Sequence, residues 1–246
     1  MLGDRMMMAS NRFSTKPLYL QLRDALADRI ASGEWRPGSA IPNESDLARE
    51  FEVSAGTMRK ALDLMEGEHL LTRRQGRGTF VNDQSSHELA ARFSNIRCPD
   101  GRRICGDTKS VQITSGAANE TERKRLRLNA QDSVFRIQRV RHDAGQVFQI
   151  EEASLPAALF PGLDEKKDSA HRIVVLAQDY GILPGKAEER ISLGEASAKV
   201  AEALGIAAGS PVIVLDRLVL ALDGRPIEWR VAWCNLTDKY YMAEMN

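Results

Sequence analysis

The 246-residue chain has only three cysteines, Cys98, Cys105 and Cys234, and no Cys-x-x-Cys spacing. An odd, dispersed set argues against a disulfide framework and against a structural zinc site. The four histidines, His69, His87, His142 and His171, form no His-x-His or His-x-x-x-His cluster. No metal and no cofactor is therefore expected. Long apolar runs are missing too, and nothing approaches the roughly 20 residues that a bilayer span needs. The opening MLGDRMMMASNRFS has no apolar stretch of signal-peptide length. Residues 1–15 are expected to be a disordered leader, and the protein cytoplasmic with no membrane partner. Net charge is also lacking, with 34 Lys+Arg against 34 Asp+Glu. That balance is not the bulk signature of a nucleic-acid binder. Residues 12–83 alone carry eleven of each sign. Positive charge is instead local, at Arg59, Lys60, Arg73, Arg74 and Arg77, and duplex binding needs it only where phosphates lie. Weak non-specific affinity at physiological salt is the consequence.

Hydrophobic content of 43 % and charged content of 28 % support real cores under a polar surface. Residues 17–32 predict a first helix. Pro17 suits its first turn, Leu18, Leu22, Leu26 and Ile30 repeat along one face, and Gly33 ends it. WRPGSAIP crosses in extended form. Asn43 caps a second helix, with Asp46 three residues on as in a capping box. Glu52-Val53 makes a turn. Ser54 caps a third helix with Met58, Ala61, Leu62 and Met65 on its inner face. A helix pair at this spacing is a helix-turn-helix. Ala55, Gly56, Thr57, Arg59 and Lys60 occupy the start of the third helix, where free N–H groups favour an anion and small residues permit deep entry into a major groove. Thr57 can meet a phosphate or base, and Arg59 can fork onto a guanine edge. A basic hairpin follows, Leu70–Arg74 and Thr79–Val81 around Gln75-Gly76-Arg77-Gly78. Its glycines permit positive φ. Arg77 is left at the tip for a narrow minor groove, and Arg73 and Arg74 are placed to neutralise phosphates.

Residues 17–81 resemble the GntR family of bacterial transcription regulators. The resemblance rests on Pro42, Glu44, Val53, Ser54, Thr57, Arg59, Ala61, Leu62 and the run Arg74–Val81. It implies a winged helix-turn-helix over 16–81 that grips a double-stranded DNA operator through Asn43, Glu44, Ser54–Thr57, Arg59, Lys60 and Arg73–Thr79. Ala55 stands where family members often have Arg, so one contact is expected to be missing. Gly67 lies inside the third helix, and His69 stands where the family commonly has Gly, so a left-handed cap there carries a cost.

NDQSSHE, residues 82–88, reads as a linker. Beyond it the chain repeats itself. Residues 126–139 displaced by 78 positions fall on 204–217 without a gap, so that Leu126 meets Leu204, Val134 meets Val212 and Arg139 meets Arg217. Each copy reads strand, helix, strand, turn, strand, with turns at Asp143-Ala144-Gly145 and Asp223-Gly224. Two copies predict an α+β domain, an antiparallel sheet of about six strands covered by helices. A further helix is expected near 169–180. Phe135, Ile137, Arg139 and Arg141 share one strand face. Arginines on such a face are partly desolvated and need an anion, supplied by acidic side chains or by a ligand. Glu151 and Glu152, Glu189 and Arg190, and Glu228 and Arg230 lie on neighbouring strands. The pattern fits cross-strand salt bridges on a sheet face and fits a ligand pocket.

Residues 89–246 resemble the UTRA effector-binding domain of HutC-type GntR regulators, whose fold is similar to chorismate lyase. The supporting residues are Arg139-x-Arg141, Glu151 to Pro156, Phe160–Leu163, Tyr180-Gly181 and Arg225–Glu228. The resemblance implies an effector pocket from Phe93, Ser94, Arg139, Arg141, Glu151, His171, Glu228 and Arg230, and dimerisation through this domain. His171 stands where the subfamily often has Ser, and the tail TDKYYMAEMN differs from the usual ending. The expectation is a homodimeric, ligand-responsive repressor on an inverted repeat, with an acidic or phosphorylated metabolite as effector. A lyase-like enzyme domain fused to a DNA module is the rival. It should carry a nucleophile–base pair or a metal cluster, and the sequence offers neither.

Overall fold

The computed structural model describes residues 16–104, 107–165 and 172–243. The expected leader and His171 lie outside them. Contacts divide the chain into two compact units between Asn82 and Asp83.

The first unit begins with α1 (Leu18–Ala31), which buries Leu22, Leu26 and Ala27. The Pro-containing segment that follows is not extended throughout, contrary to the expectation from its sequence. Pro37-Gly38 turns the chain, with Gly38 at φ 78° and Ser39 N–H donating to the Arg36 carbonyl. Only beyond it does the segment straighten, where Ile41 N–H donates to the Thr79 carbonyl. In α2 (Glu44–Glu50) the Asn43 side chain accepts from Asp46 N–H, and the inner face is Leu47 and Ala48. The reciprocal half of a capping box does not form. The Asp46 carboxylate takes the Asn43 side-chain amide at 2.6 Å rather than a backbone N–H. Glu52 makes the turn at φ 54°. In α3 (Ala55–Gly67) Ser54 caps the first turn and Met58, Ala61, Leu62 and Met65 are buried against the other two helices. His69 does take the left-handed conformation, at φ 60°. Its carbonyl accepts from the Asn82 side chain at 3.0 Å, which helps hold the strained turn. The hairpin pairs β1 (Leu71–Arg74) with β2 (Gly78–Val81), with Arg74 opposite Gly78. Positive φ at Gly76 (69°) and Gly78 (107°) closes the turn and leaves Arg77 outside it.

Of the segment read as a linker, Asn82 is hydrogen bonded into the first unit. Gln84 is buried and receives the Arg92 guanidinium at 2.6 Å. The second unit continues with α4 (His87–Ala90), β3 (Ile96–Arg97), β4 (Asp107–Ala117), α5 (Glu120–Leu126), β5 (Ser133–Asp143) and β6 (Gln146–Pro156). Then come α6 (Ile173–Gln178), β7 (Pro184–Glu195), α7 (Ala198–Leu204), β8 (Pro211–Ala221), β9 (Pro226–Cys234) and β10 (Tyr240–Tyr241). The fold class is α+β, as the internal repeat predicts.

Six strands form one antiparallel sheet in the order β4-β5-β6-β9-β8-β7. The internal repeat explains that order. β4-α5-β5-β6 and β7-α7-β8-β9 are the two copies, and they meet at β6 and β9. Even the hairpin irregularity recurs, between Arg141 and His142 in the first copy and between Val219 and Leu220 in the second. The second turn carries one residue more, because Asp143 pairs with Gln146 whereas Ala221 N–H donates to the Arg225 carbonyl.

The two sheet faces differ. One packs under α5 and α7 through Val134, Ile150, Leu204, Val212 and Leu218. The other carries two apolar clusters. Phe135, Ile137, Leu155 and Ile227 pack with α6, and Phe148, Leu215, Ala232 and Cys234 pack with Ile96 and Ile104. Alternation along the strands brings the buried arginines to that same second face.

Candidate functional site

Two sets of candidate side chains occur, one in each unit. In the first unit the start of α3 and the hairpin tip expose Ala55, Gly56, Arg59, Lys60, Arg74, Gln75, Gly76, Arg77 and Gly78, with Thr57 and Thr79 half-buried. Ser54 is occupied as a cap, and its hydroxyl also lies 2.8 Å from that of Thr57. The cations differ from one another in ways the sequence does not announce. Arg59 is held by Glu44, with Nε 3.3 Å and Nη2 2.8 Å from the carboxylate oxygens. Lys60 lies 3.9 Å from the centroid of the Tyr19 ring. Arg74 stacks on Phe80 at 4.6 Å. Arg73, expected as a phosphate neutraliser, is turned back onto the protein. It bonds Asp63 at 2.6 Å and Glu66 at 2.8 Å, because β1 runs beside the outer face of α3. Its charge is already met there in the absence of DNA. Arg77 makes no side-chain hydrogen bond or ion pair among the described residues and is exposed.

In the second unit the sheet register assembles a buried charge network. Arg139 stands opposite Glu151. Arg139 Nη1 reaches Glu151 at 3.3 Å and Glu228 at 3.0 Å. Arg141 grips both oxygens of Glu151 at 3.1 and 2.9 Å. Arg230 reaches Glu151 at 3.0 Å and Glu189 at 3.3 Å. Arg217 donates to Glu189 at 2.6 Å. Gln149 donates to Glu151 at 2.6 Å. The tail enters here: the Tyr241 hydroxyl donates to Glu189 at 2.6 Å, and Asn95 donates to that hydroxyl.

Burial alone would raise the Glu151 carboxyl, but Arg141, Arg230 and Arg139 outweigh it and hold Glu151 well below the usual carboxylate range. Burial opposes ionisation of Glu189 as well, and Arg217 and Arg230 with the Tyr241 hydroxyl lower it all the same. Burial and the neighbouring Arg230 lower the Arg217 guanidinium, with Glu189 opposing them. Cys234, buried beneath this network, has its thiol pushed up to about 12. Four buried arginines, Arg139, Arg141, Arg217 and Arg230, thus face three carboxylates, Glu151, Glu189 and Glu228. The patch carries one positive charge in excess. Arg139 is 1 % exposed, yet among the described residues its Nε and Nη2 find no hydrogen-bond partner, and neither does Arg230 Nε. Buried donors left unmet are costly.

Arg139 and Arg230 line a cavity of about 40 Å³, together with Phe93, Ser94, Ile104, Phe148, Arg172 and Leu215. That is room for water-sized occupants, so a larger ligand must displace part of the lining. Of the residues expected here, Phe93, Ser94, Arg139, Arg141, Glu228 and Arg230 line the cavity. Glu151 does not. It lies beneath the arginines with both oxygens taken, because the register sets it against Arg139. His171 lies outside the described residues, and its neighbour Arg172 lines the cavity instead. Glu152 and Arg190 point to the opposite face, where Glu152 meets Lys199 and Gln138. Gln149, Arg172 and Arg217 line the cavity although sequence reasoning did not assign them. Only Arg217 had a visible signal, as the repeat partner of Arg139. No group of three or more metal-ligating side chains occurs among the described residues. No helix among them is long and apolar enough to cross a membrane.

A winged helix-turn-helix with a cationic tip, joined to a ligand-scale domain with a buried charged cavity, defines a DNA-binding transcription regulator with an effector domain. Comparison with known proteins bears this out. The description "Bacterial regulatory proteins, gntR family" matches residues 18–81, and "UTRA domain" matches residues 106–240. The chain belongs to the gntR family of bacterial regulators that carry a UTRA domain. It is 27 % identical to the mannosyl-D-glycerate transport/metabolism system repressor MngR of Escherichia coli K12, over 92 % of this chain and 94 % of that one. It is 28 % identical to the HTH-type transcriptional regulator GgaR of the same strain, over 97 % and 93 %. The crystal structure of PhnF from Mycobacterium smegmatis superposes with a TM-score of 0.55 at 24 % identity, covering 93 % of this chain and 99 % of PhnF.

Proposed function

We propose that the protein is a homodimeric, ligand-responsive repressor that acts in the cytoplasm on an inverted-repeat operator. The N-terminal end of α3 enters the major groove, with Thr57 and Arg59 toward the bases. The wing carries Arg77 into the minor groove, and Arg74 lies beside a phosphate. The open Arg77 and the small residues Ala55 and Gly56 support this docking. That MngR is a repressor supports the sign of regulation. Two heads on a twofold axis suit an inverted repeat. A dimer has a ready surface on the edge strand β7, where Ile191 and Leu193 are 49 % and 74 % exposed.

The effector is an acidic or phosphorylated small molecule. The observation that carries this is Arg139, buried with an unmet Nε–Nη2 edge inside a network of net positive charge. A carboxylate or phosphate fits that edge with two parallel hydrogen bonds. The site's role is binding rather than turnover. The effector acts on DNA affinity only as far as it binds two arrangements of the dimer unequally. Calorimetric titration with a panel of organic acids, sugar phosphates and their uncharged analogues tests this. Saturable binding restricted to anions is expected. Binding of neutral analogues with equal affinity contradicts the ligand class, and turnover of any ligand contradicts the binding role.

A further inference from the structure

Glu44 sits in the first turn of α2, and its carboxylate crosses the helix-turn-helix elbow to the outer face of α3. A guanidinium has two bidentate edges. Arg59 gives its side edge, Nε with Nη2, to Glu44 at 3.3 and 2.8 Å. Its end edge, Nη1 with the second Nη2 hydrogen, has no partner among the described residues. The Arg59 side chain is 65 % exposed. An ion pair so exposed adds little to stability. A carboxylate beside a surface that meets phosphates also weakens attraction to any duplex. The pair is thus poorly explained as a fold-stabilising contact, and its geometry suits a different purpose.

We propose that Glu44 is a positioning residue for base reading: it fixes the plane of Arg59 so that the end edge meets guanine O6 and N7, while its own charge suppresses binding to arbitrary duplex. The inference rests on the reading that α3 enters the major groove. Guanine offers two acceptors on that groove edge, and a guanidinium fixed in plane meets both at once. A free Arg59 could also swing to a phosphate, which carries no sequence information. Holding the side edge removes that alternative. Glu44 acts through Arg59 and needs no base contact of its own.

The full-length protein, Glu44→Gln, Glu44→Ala and Arg59→Ala are compared by fluorescence anisotropy. One duplex is selected by the wild type from a random pool, and the other is a scrambled duplex of equal length. Base-preference profiles and thermal midpoints are recorded on the same samples. Glu44→Ala is expected to bind the selected duplex more weakly and the scrambled duplex at least as tightly as the wild type, so that their ratio falls about tenfold. The profile should broaden at the guanine that Arg59→Ala also flattens, with Glu44→Gln intermediate. Because each ratio compares two duplexes on one sample, loss of folded protein scales both and leaves the ratio standing. The proposal is overturned if both Glu44 variants keep the wild-type ratio, if they lose affinity equally on both duplexes, or if they broaden a position that Arg59→Ala leaves sharp. A wild type that selects no sequence overturns the docking of α3 itself, and this proposal with it.

Discussion

Arg59 and Arg139 are both arginines bonded to glutamate, one 65 % exposed on the first unit and the other 1 % exposed within the second. In the roles proposed above, their surroundings give the same chemistry opposite uses. Around Arg59, water screens the pair and either partner can be exchanged at small cost. Such a pair can hand its outer donors to DNA. Around Arg139, desolvation makes each broken contact expensive, so the network persists as a frame and only its unmet edge is offered. On the proposed function, exposure more than residue type separates a reading surface from a holding site.

Several substitutions sharpen or break that contrast. Glu151→Ala removes the carboxylate shared by Arg139, Arg141 and Arg230, and should destabilise the second unit by about 3–5 kcal/mol in urea unfolding. Glu44→Ala should leave the unfolding midpoint near the wild-type value. Equal midpoints for the two would erase the distinction between buried and exposed pairs. Arg139→Ala should weaken anionic effector binding on the order of a hundredfold while effector-free operator affinity stays near wild type. A normal effector response would remove Arg139 from the site. Arg77→Ala should weaken operator binding across sequences and reduce the slope of log affinity against log salt by about one. An unchanged slope would detach the wing from the phosphate-lined groove. The smallest effect concerns acid. The arginines depress Glu151 in the folded state, so its contribution is fully present above the ordinary glutamate value of 4.5 and is lost as pH falls from there through the folded-state value. Glu151→Gln should therefore flatten the stability–pH curve below about 4.5 and leave its shape near neutrality alone.

Much of this was legible from residue order. The caps Asn43 and Ser54, the glycines of the wing and the repeat that lays Arg139 on Arg217 each act locally or recur at a fixed spacing. What escaped depends on register and on side-chain choice among partners. Nothing in the spelling of β1 shows that Arg73 will find Asp63 and Glu66. The repeat aligns Arg139 with Arg217, but it does not reveal that Glu151 in one hairpin corresponds to Arg230 in the other. The extra residue in the second turn hides that exchange, and it puts a carboxylate at one centre and a guanidinium at the other. Tyr241 reaches Glu189 only because β10 pairs with β3, which joins residues far apart in the chain. The capping box at Asn43 failed for a simpler reason: the short Asp46 side chain bonded the cap's amide instead of its backbone.

The most direct test of the account is selection from a pool of random duplexes by the purified full-length protein at modest ionic strength, with and without anionic metabolites. The account predicts enrichment of an inverted repeat whose two half-sites lie on one face of the helix, with enrichment altered by at least one anion and by no neutral analogue. A pool that stays random under every condition, or one that enriches only single unpaired half-sites, would contradict it.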